Sequence, residues 1–160
     1  MKVSATVLAE STFAMHACCL VQRQEIGVTY HKLYIECSVC VYRDLAARNV
    51  LIQSPEHVQI TDFGLAKMLD SLDEDSVVVR SGRVPIRWLA IETLQYGLYS
   101  HKTDVWSYGV TLWEIFTFGK QPYENIKTVD IKDHVMKGGR LTQPDICTLD
   151  AYMVMVKCKS

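Results

Sequence analysis

The sequence has no uninterrupted apolar run of membrane-spanning length and no excess charge of either sign. Its longest apolar stretch near the start, residues 3–21, is interrupted at Glu10, Ser11, Thr12 and His16, whereas a spanning helix needs about 20 apolar residues. A cleaved signal peptide needs an apolar run of about 7–15 residues, which Glu10 also breaks. The 17 basic and 18 acidic side chains nearly cancel, so charge gives no reason to bind nucleic acid or an anionic membrane. We therefore expect neither a membrane span nor a nucleic-acid partner.

Cysteine is scarce and irregularly spaced. Six cysteines in 160 residues do not form the disulfide framework of a small secreted domain, which favours a reducing compartment. Cys37 and Cys40 make one C-x-x-C, and with Cys19 and His31 they would complete a zinc site. No second C-x-x-C or H-x-x-x-H follows at zinc-finger spacing, so small buried apolar side chains are the favoured interpretation.

The first fifth of the chain contains few residues that mark turns or the ends of helices and strands. Residues 1–33 contain one glycine, no proline and no clean period of 2 or 3.6, and we assign them no function. Apolar residues make up 49% of the whole chain, which excludes disorder throughout and fits one compact domain.

Two β-prone runs, residues 50–52 and 58–60, flank a turn-like segment and predict a hairpin.

A long apolar segment in the second half predicts a buried helix. It follows Ser100, a favourable N-terminal cap, runs through Phe118 and ends at Gly119. Its apolar side chains are distributed nearly all the way round the helix, which is typical of a helix buried on most sides. We expect it to form the centre of a mainly helical domain.

Three oxygen-bearing side chains flank the predicted hairpin. Asp44 and Asn49 are five positions apart, the spacing of a D-x-x-x-x-N catalytic loop, and Asp62 opens Asp-Phe-Gly thirteen residues after Asn49. Facing residues of an antiparallel hairpin share one index sum, and that of Asn49 with Asp62 equals that of Pro55 with Glu56. We therefore expect Asn49 to face Asp62. Such oxygens suit Mg²⁺ when nucleotide phosphates complete its shell, and the alternative is a buried polar pair.

The sequence resembles the C-terminal lobe of a protein tyrosine kinase, and within that family the epidermal growth factor receptor type. The resemblance covers about residues 34–158 and rests on five segments in family order: VYRDLAARNVLI, ITDFGLAK, VPIRWLAIETL, SHKTDVWSYGVTLWEIFTFGKQPYENI and QPDICTLDAYMVMVKC. Ala-Ala-Arg at 46–48 and Pro-Ile-Arg-Trp at 85–88 match the tyrosine branch. The resemblance implies a mainly α C-lobe of the α+β kinase fold with a small β-hairpin. Residues 34–160 would then be a partial catalytic domain, truncated at its C-terminal end.

The resemblance also implies the chemistry of the site. Asp44 would accept the proton of the substrate hydroxyl and orient it toward the γ-phosphate of ATP, and Arg48 would lie beside the acceptor phenol. Asn49 and Asp62 would hold Mg²⁺ with the nucleotide. ATP and Mg²⁺ are therefore the expected cofactors.

Further positions follow from the same resemblance. Pro85 and Trp88 would form a platform under the substrate tyrosine ring. Asp104 would accept backbone N–H bonds from the catalytic loop, and its alternative is an ordinary acid at a helix N-terminus. Glu92 would pair in the family with an arginine that the printed sequence lacks, and a carboxylate buried without that partner predicts a less stable lobe.

Several family parts are missing from the sequence. Gly27 is the one glycine before Gly64, so there is no glycine-rich phosphate loop, and no V-A-I-K lysine precedes the catalytic loop. We therefore expect the N-lobe to be absent and the isolated chain to be inactive. Tyr42 replaces the usual histidine of tyrosine kinases, a tolerable departure. No tyrosine lies between Asp62 and Pro85, so activation by phosphorylation of a loop tyrosine is not expected.

Two classes of function remain open, beside the alternative that the chain has no stable fold. One is an ATP-dependent receptor-type kinase acting on protein tyrosines at the cytosolic side of the plasma membrane. The other is a non-catalytic activator-side or competing partner of a full-length receptor kinase. The second depends on Leu149, Met153 and Val156, which recur at i, i+4 and i+7. Periodicity alone favours a core stripe, whereas the resemblance implies a face that contacts another receptor kinase domain.

Overall fold

The computed structural model describes residues 40–54, 57–69 and 75–158. This part of the chain contains four α-helices, of which the second is long and central. The helices are α1 (Ile91–Tyr96), α2 (His101–Phe116), α3 (Ile131–Met136) and α4 (Leu149–Lys157). The strands are β1 (Cys40–Val41), β2 (Val50–Ser54), β3 (His57–Ile60), β4 (Lys67–Met68), β5 (Ser76–Val78) and β6 (Leu98–Ser100). Single 3-10 turns lie at Ala47–Asn49, Phe63–Leu65, Ile86–Trp88 and Thr128–Asp130. The expected mainly helical C-lobe is confirmed.

The start of α2 is fixed by a reciprocal cap. The Ser100 hydroxyl accepts from the Thr103 amide at 3.4 Å, and the Thr103 hydroxyl accepts from the Ser100 amide at 3.0 Å. These bonds satisfy two donors that a helix N-terminus leaves unpaired. The cap predicted at Ser100 is therefore confirmed.

The other end of α2 differs from the prediction. The helix ends at Phe116, and Phe118 takes the left-handed conformation with φ of 57°. The amide of Gly119 then donates to the Glu114 carbonyl at 2.8 Å. This type of helix end requires a left-handed residue directly before the residue whose amide makes the final hydrogen bond. Phe118 occupies that position, although the left-handed conformation is strained for a bulky aromatic residue. The prediction that the segment runs to Phe118 was two residues too long.

The core is built around α2, as its all-round apolar pattern predicted. Trp106, Val110 and Trp113 of α2 are buried and pack with Ile131 of α3 and Met155 of α4. A smaller cluster joins the strands near the loop before α1, and its buried members are Val41, Leu69, Leu89 and Tyr99. The two clusters hold the loops that carry the site against one rigid helix.

Three two-stranded antiparallel ribbons accompany the helices. The ribbon of β2 with β3 is the predicted hairpin and is confirmed. The other two pair β1 with β4 and β5 with β6. Their strands are short and distant in sequence, so local patterns gave no signal for them.

The register of the β2–β3 hairpin corrects one prediction. Val50 faces Ile60 and Ile52 faces Val58, but Ser54 faces His57, so the register shifts between Ile52 and Ser54. The constant index sum assumed a regular ladder, and the bulge breaks it. As a result Asn49 lies opposite Thr61, whose amide donates to the Asn49 carbonyl at 2.9 Å. The expectation that Asn49 faces Asp62 was wrong by one residue.

The zinc hypothesis falls largely outside the described residues. Cys19, His31 and Cys37 lie in the undescribed part, and Cys40 lies in β1. Within the described ranges no cluster of three metal-ligating His, Cys, Asp or Glu side chains occurs. None of the helices in those ranges has the length and apolar character needed to cross a membrane.

Candidate active site

The loop from residue 42 to residue 49 is anchored to the N-terminal end of α2. The Asp104 carboxylate accepts from the Tyr42 amide at 2.8 Å and from the Arg43 amide at 2.9 Å. Burial raises the pKa of Asp104, although both hydrogen bonds act in the opposite direction. Arg43 has φ of 72°, a conformation that the two adjacent bonds help to maintain. The expected bracing contact of Asp104 is thus present in the geometry.

Asp44 is held through both of its carboxylate oxygens. Oδ1 is paired with the Arg48 guanidinium, and Oδ2 accepts from Asn49 Nδ2 at 3.0 Å. The same Asn49 nitrogen donates to the Asp44 backbone carbonyl at 2.8 Å. The 3-10 turn Ala47–Asn49 makes these contacts possible because it folds the chain back on Asp44. The amide nitrogen of the buried Asn49 is therefore committed, and its oxygen is the atom suited to a metal.

Asp62 lies directly beyond the last hairpin pair, in a sharp turn. It has φ of 61° and ψ of 73°, and its Oδ1 accepts from the Gly64 amide at 3.2 Å. Its side chain is exposed. The left-handed conformation, not a hairpin register, sets the direction of the Asp62 carboxylate.

Tyr42 connects the loop with the Asp62 turn. Its hydroxyl donates to the Thr61 carbonyl, and its ring lies edge-on to Phe63 with ring centroids 5.1 Å apart. Burial, followed by the charges of Asp44 and Asp62, raises the pKa of Tyr42 to about 12. Both carboxylates therefore act on one phenol, although the hairpin does not place Asn49 and Asp62 face to face.

The proposed substrate platform lies beside Arg48. Pro85 precedes the 3-10 turn Ile86–Trp88, and its carbonyl accepts from the Trp88 amide at 2.9 Å. The Arg48 guanidinium lies 4.8 Å from the Trp88 ring centroid. The geometry thus brings Asp44, Arg48 and Trp88 into one contiguous surface.

Comparison with known proteins shows the family of this chain. The family model described as "Protein tyrosine and serine/threonine kinase" matches residues 24–160. The chain belongs to this kinase family. It is 56% identical over 126 residues to "Receptor tyrosine-protein kinase erbB-4" of Homo sapiens and of Mus musculus, covering 79% of this chain. It is 55% identical over 125 residues, 78% of this chain, to "Receptor tyrosine-protein kinase erbB-2" of Mesocricetus auratus. The expected resemblance to the epidermal growth factor receptor type is confirmed, and the kinase chain spans 10% of the length of each of these relatives.

The platform of this kinase chain has an anchor that the sequence interpretation missed. The Arg87 guanidinium donates to the backbone carbonyls of Pro122, Tyr123 and Ile126 at 2.8, 2.6 and 2.9 Å. A planar guanidinium can serve several acceptors in fixed directions, which an ammonium group does less well. The arginine inside Pro-Ile-Arg-Trp was a signal for this contact, but its acceptors are backbone atoms that no sequence pattern marks.

Glu92 does not have the environment that was expected. It lies in the first turn of α1 and is half-buried, without an ion pair in the described ranges. The residue is not fully buried, so the full penalty of a buried unpaired charge does not apply. The structure shows partial burial where the prediction assumed a buried carboxylate, and the predicted loss of stability stays a prediction.

The apolar stripe of α4 is exposed. Leu149, Met153 and Val156 are 65%, 44% and 40% exposed, whereas Met155 and Cys158 are turned into the core. The interpretation of the stripe as core, which periodicity favoured, was wrong. Packing of α4 uses the opposite face, so periodicity identified a shared face but not its environment.

A cavity in the described part of the chain lies away from the catalytic loop. Its volume is about 490 Å³, and its lining includes Trp113, Tyr123, Arg140 and Ile146. None of the catalytic-loop residues lines it. This cavity is therefore separate from the candidate site.

Proposed function

We propose that the chain carries the metal-binding and substrate-facing part of an ATP-dependent receptor-type protein tyrosine kinase. The reaction is transfer of the γ-phosphoryl group of ATP to a protein tyrosine on the cytosolic side of the plasma membrane. The observation that supports it is the Asp44 carboxylate, which is held by Arg48 on one oxygen and by Asn49 on the other.

Asp44 is suited to act as the base. Its two fixed oxygens keep the carboxylate in one orientation, and it accepts the proton of the tyrosine hydroxyl as the oxygen attacks phosphorus. Arg48 stays paired with Asp44 and presents the rest of its guanidinium toward the Trp88 ring. The phenol ring of the substrate then lies on the surface formed by Pro85 and Trp88.

The residues present fit Mg²⁺. Asn49 has its amide nitrogen engaged, which directs its oxygen to a ligand role, and Asp62 presents an exposed carboxylate with one N–H bond. Hard oxygen donors of this kind bind Mg²⁺ together with nucleotide phosphates. When bound, the ion neutralises negative charge on the transferred group.

An exposed apolar residue supports a nucleotide at the same place. Leu51 is 55% exposed although it lies in a paired strand. It is the second residue of β2 and comes two residues after Asn49, the last residue of the preceding 3-10 turn. The exposed Leu51 side chain offers apolar surface for a nucleotide base, two residues along the chain from the proposed metal ligand Asn49.

The test joins this lobe to the glycine-rich N-lobe of a matched receptor kinase and restores the family's C-terminal helices. We expect the joined protein to phosphorylate a tyrosine peptide, while the 160-residue chain alone gives no measurable turnover. Asp62→Ala should abolish turnover through loss of metal, and Asp133→Asn, an exposed acid of α3, serves as the control. A folded joined protein that binds Mg-ATP but never modifies tyrosine would contradict the proposal.

The exposed stripe of α4 supports a second candidate function. An apolar helix face of this kind can dock in a groove of another protein, and we propose that it contacts the kinase domain of a full-length receptor. Co-expression with an intact receptor kinase should change receptor phosphorylation, and Val156→Arg should remove the change. Val129→Arg is the matched control, because Val129 is apolar and exposed but lies outside the stripe. An unchanged receptor signal, with the folded fragment in excess, would leave this candidate without support.

A further inference from the structure

One carboxylate oxygen of α2 connects two functional segments. Glu114 Oε2 accepts from the Ala47 amide at 3.0 Å and from the Trp88 indole nitrogen at 2.8 Å. Glu114 is 9% exposed, and no cation pairs with it within the described ranges. Both donors come from outside α2, one from the catalytic loop and one from the platform.

These contacts connect four residues in a closed circuit: Ala47, Arg48, Trp88 and Glu114. Ala47 precedes Arg48, so the Glu114 bond fixes the backbone where the Arg48 side chain begins. The far end of that side chain lies over the Trp88 ring, which Glu114 orients through the indole nitrogen. Arg48 is thus positioned at both ends by a single oxygen atom.

We propose that Glu114 is a positioning residue for phosphoryl transfer, holding Arg48 against Asp44 by fixing Ala47 and the Trp88 indole together. The inference rests on the proposed kinase function. It assigns to α2 a second contact with the catalytic loop, ten residues beyond Asp104.

The backbone of the platform has a separate anchor. The Ser107 hydroxyl donates to the Trp88 carbonyl at 2.8 Å. Ser107 therefore fixes the backbone of the Ile86–Trp88 turn, whereas Glu114 orients the Trp88 indole. Loss of Glu114 should release the indole while Ser107 keeps the segment in place.

The test is nuclear magnetic resonance of the 160-residue chain labelled with nitrogen-15. In Glu114→Ala the Trp88 indole proton should exchange with water at least about tenfold faster, as expected for loss of a charge-assisted hydrogen bond. The Arg48 Nε–H signal should move toward that of a free arginine. The Trp113 indole, which donates to the Thr142 carbonyl at 2.9 Å, is an internal control that should not change.

Conservative variants separate positioning from general stability. Glu114→Gln keeps an oxygen acceptor and should restore slow exchange in part. Ser107→Ala should leave the Arg48 signal in place, because the Glu114 bond to the Trp88 indole is kept. If Glu114→Ala fails to fold, Glu114→Gln carries the test alone, because its neutral and weaker acceptor should speed exchange of the Trp88 indole proton and move the Arg48 signal in the same direction by a smaller amount.

The outcomes distinguish this inference from the proposed function. An Arg48 signal that stays unchanged when the Trp88 indole is released overturns the positioning role, whatever the activity. In the joined kinase, Glu114→Gln should raise KM for the tyrosine peptide several-fold and leave KM for ATP unchanged. Equal changes in both constants would instead indicate a general structural role. Absence of any tyrosine phosphorylation by the parent joined protein, with the Arg48 contacts intact, would count against the proposed function only.

Discussion

The hydroxyl group of Tyr42 donates a hydrogen bond to the backbone carbonyl of Thr61, the residue before Asp62. The Tyr42 amide is bound to Asp104 in α2, so one residue connects the central helix with the turn that carries a proposed metal ligand. A histidine at this position would have an aromatic ring but no hydroxyl. We expect the phenol to add stability to the Asp62 turn without taking part in proton transfer.

Replacement of Tyr42 by phenylalanine tests this contact. The variant keeps a ring against Phe63 and loses one hydrogen bond, so the free energy of unfolding should fall by about 0.5–1.5 kcal/mol. Urea denaturation measures the change, and Tyr96→Phe, at an exposed position of α1, is the control. In the joined kinase Tyr42→His should alter activity only modestly. If the joined kinase turned over only with histidine at position 42, tyrosine would not be tolerated at that position.

Alkaline pH should destabilise the lobe through the same hydroxyl. Burial and neighbouring charges raise the pKa of Tyr42 to about 12, above the ordinary value of 10.0, so the folded state holds the proton more tightly than the unfolded state. Stability should therefore decline as pH rises from about 10 toward about 12. Tyr42→Phe should reduce this decline. Part of it should remain, because burial also raises the pKa of Tyr123 to about 12.

Asp44→Asn should separate chemistry from binding. The amide cannot accept the tyrosine proton and pairs poorly with Arg48, so kcat of the joined kinase should fall by about 10²–10⁴-fold. KM for ATP should change little, because Asn49 and Asp62 remain. Steady-state assays on a tyrosine peptide measure both constants. A large rise in KM for ATP at unchanged kcat would move Asp44 from the role of base to that of nucleotide ligand.

Replacement of Arg87 compares a guanidinium group with an ammonium group at the same position. Arg87→Ala leaves the Pro122, Tyr123 and Ile126 carbonyls without their donor and should lower the free energy of unfolding by about 2–3 kcal/mol. Arg87→Lys keeps the charge but cannot reach three carbonyls in one plane, so its loss should be intermediate. Thermal and urea unfolding measure the order. Equal stability of the lysine variant and the parent would show that charge alone is sufficient.

The sequence predicted the elements more reliably than the contacts between them. The Ser100 cap and the all-round apolar pattern marked α2 because both signals are local. The register at Asn49 could not be predicted, since it depends on a bulge between Ile52 and Ser54 that no residue type announces. Periodicity placed Leu149 and Val156 on one face, but only packing against α2 shows that this face is exposed.

Glu114 illustrates what a pattern can indicate and what it cannot. An acidic residue in the mainly apolar second half of α2 indicates a buried polar contact. Its donors, the Ala47 amide and the Trp88 indole, are 67 and 26 residues away in sequence. Their convergence follows from the tertiary fold alone.

The bulge in the β2–β3 hairpin has a practical consequence for protein engineering. The ladder from Val50 to Ile52 with Val58 to Ile60 is regular, and the irregularity lies between it and the tip. An insertion between Ser54 and His57 would therefore be separated from the Asn49–Thr61 pair by the three regular residue pairs of the ladder. The hairpin tip is accordingly a natural place to insert a fluorescent or affinity label while the spacing of Asp44, Asn49 and Asp62 is kept.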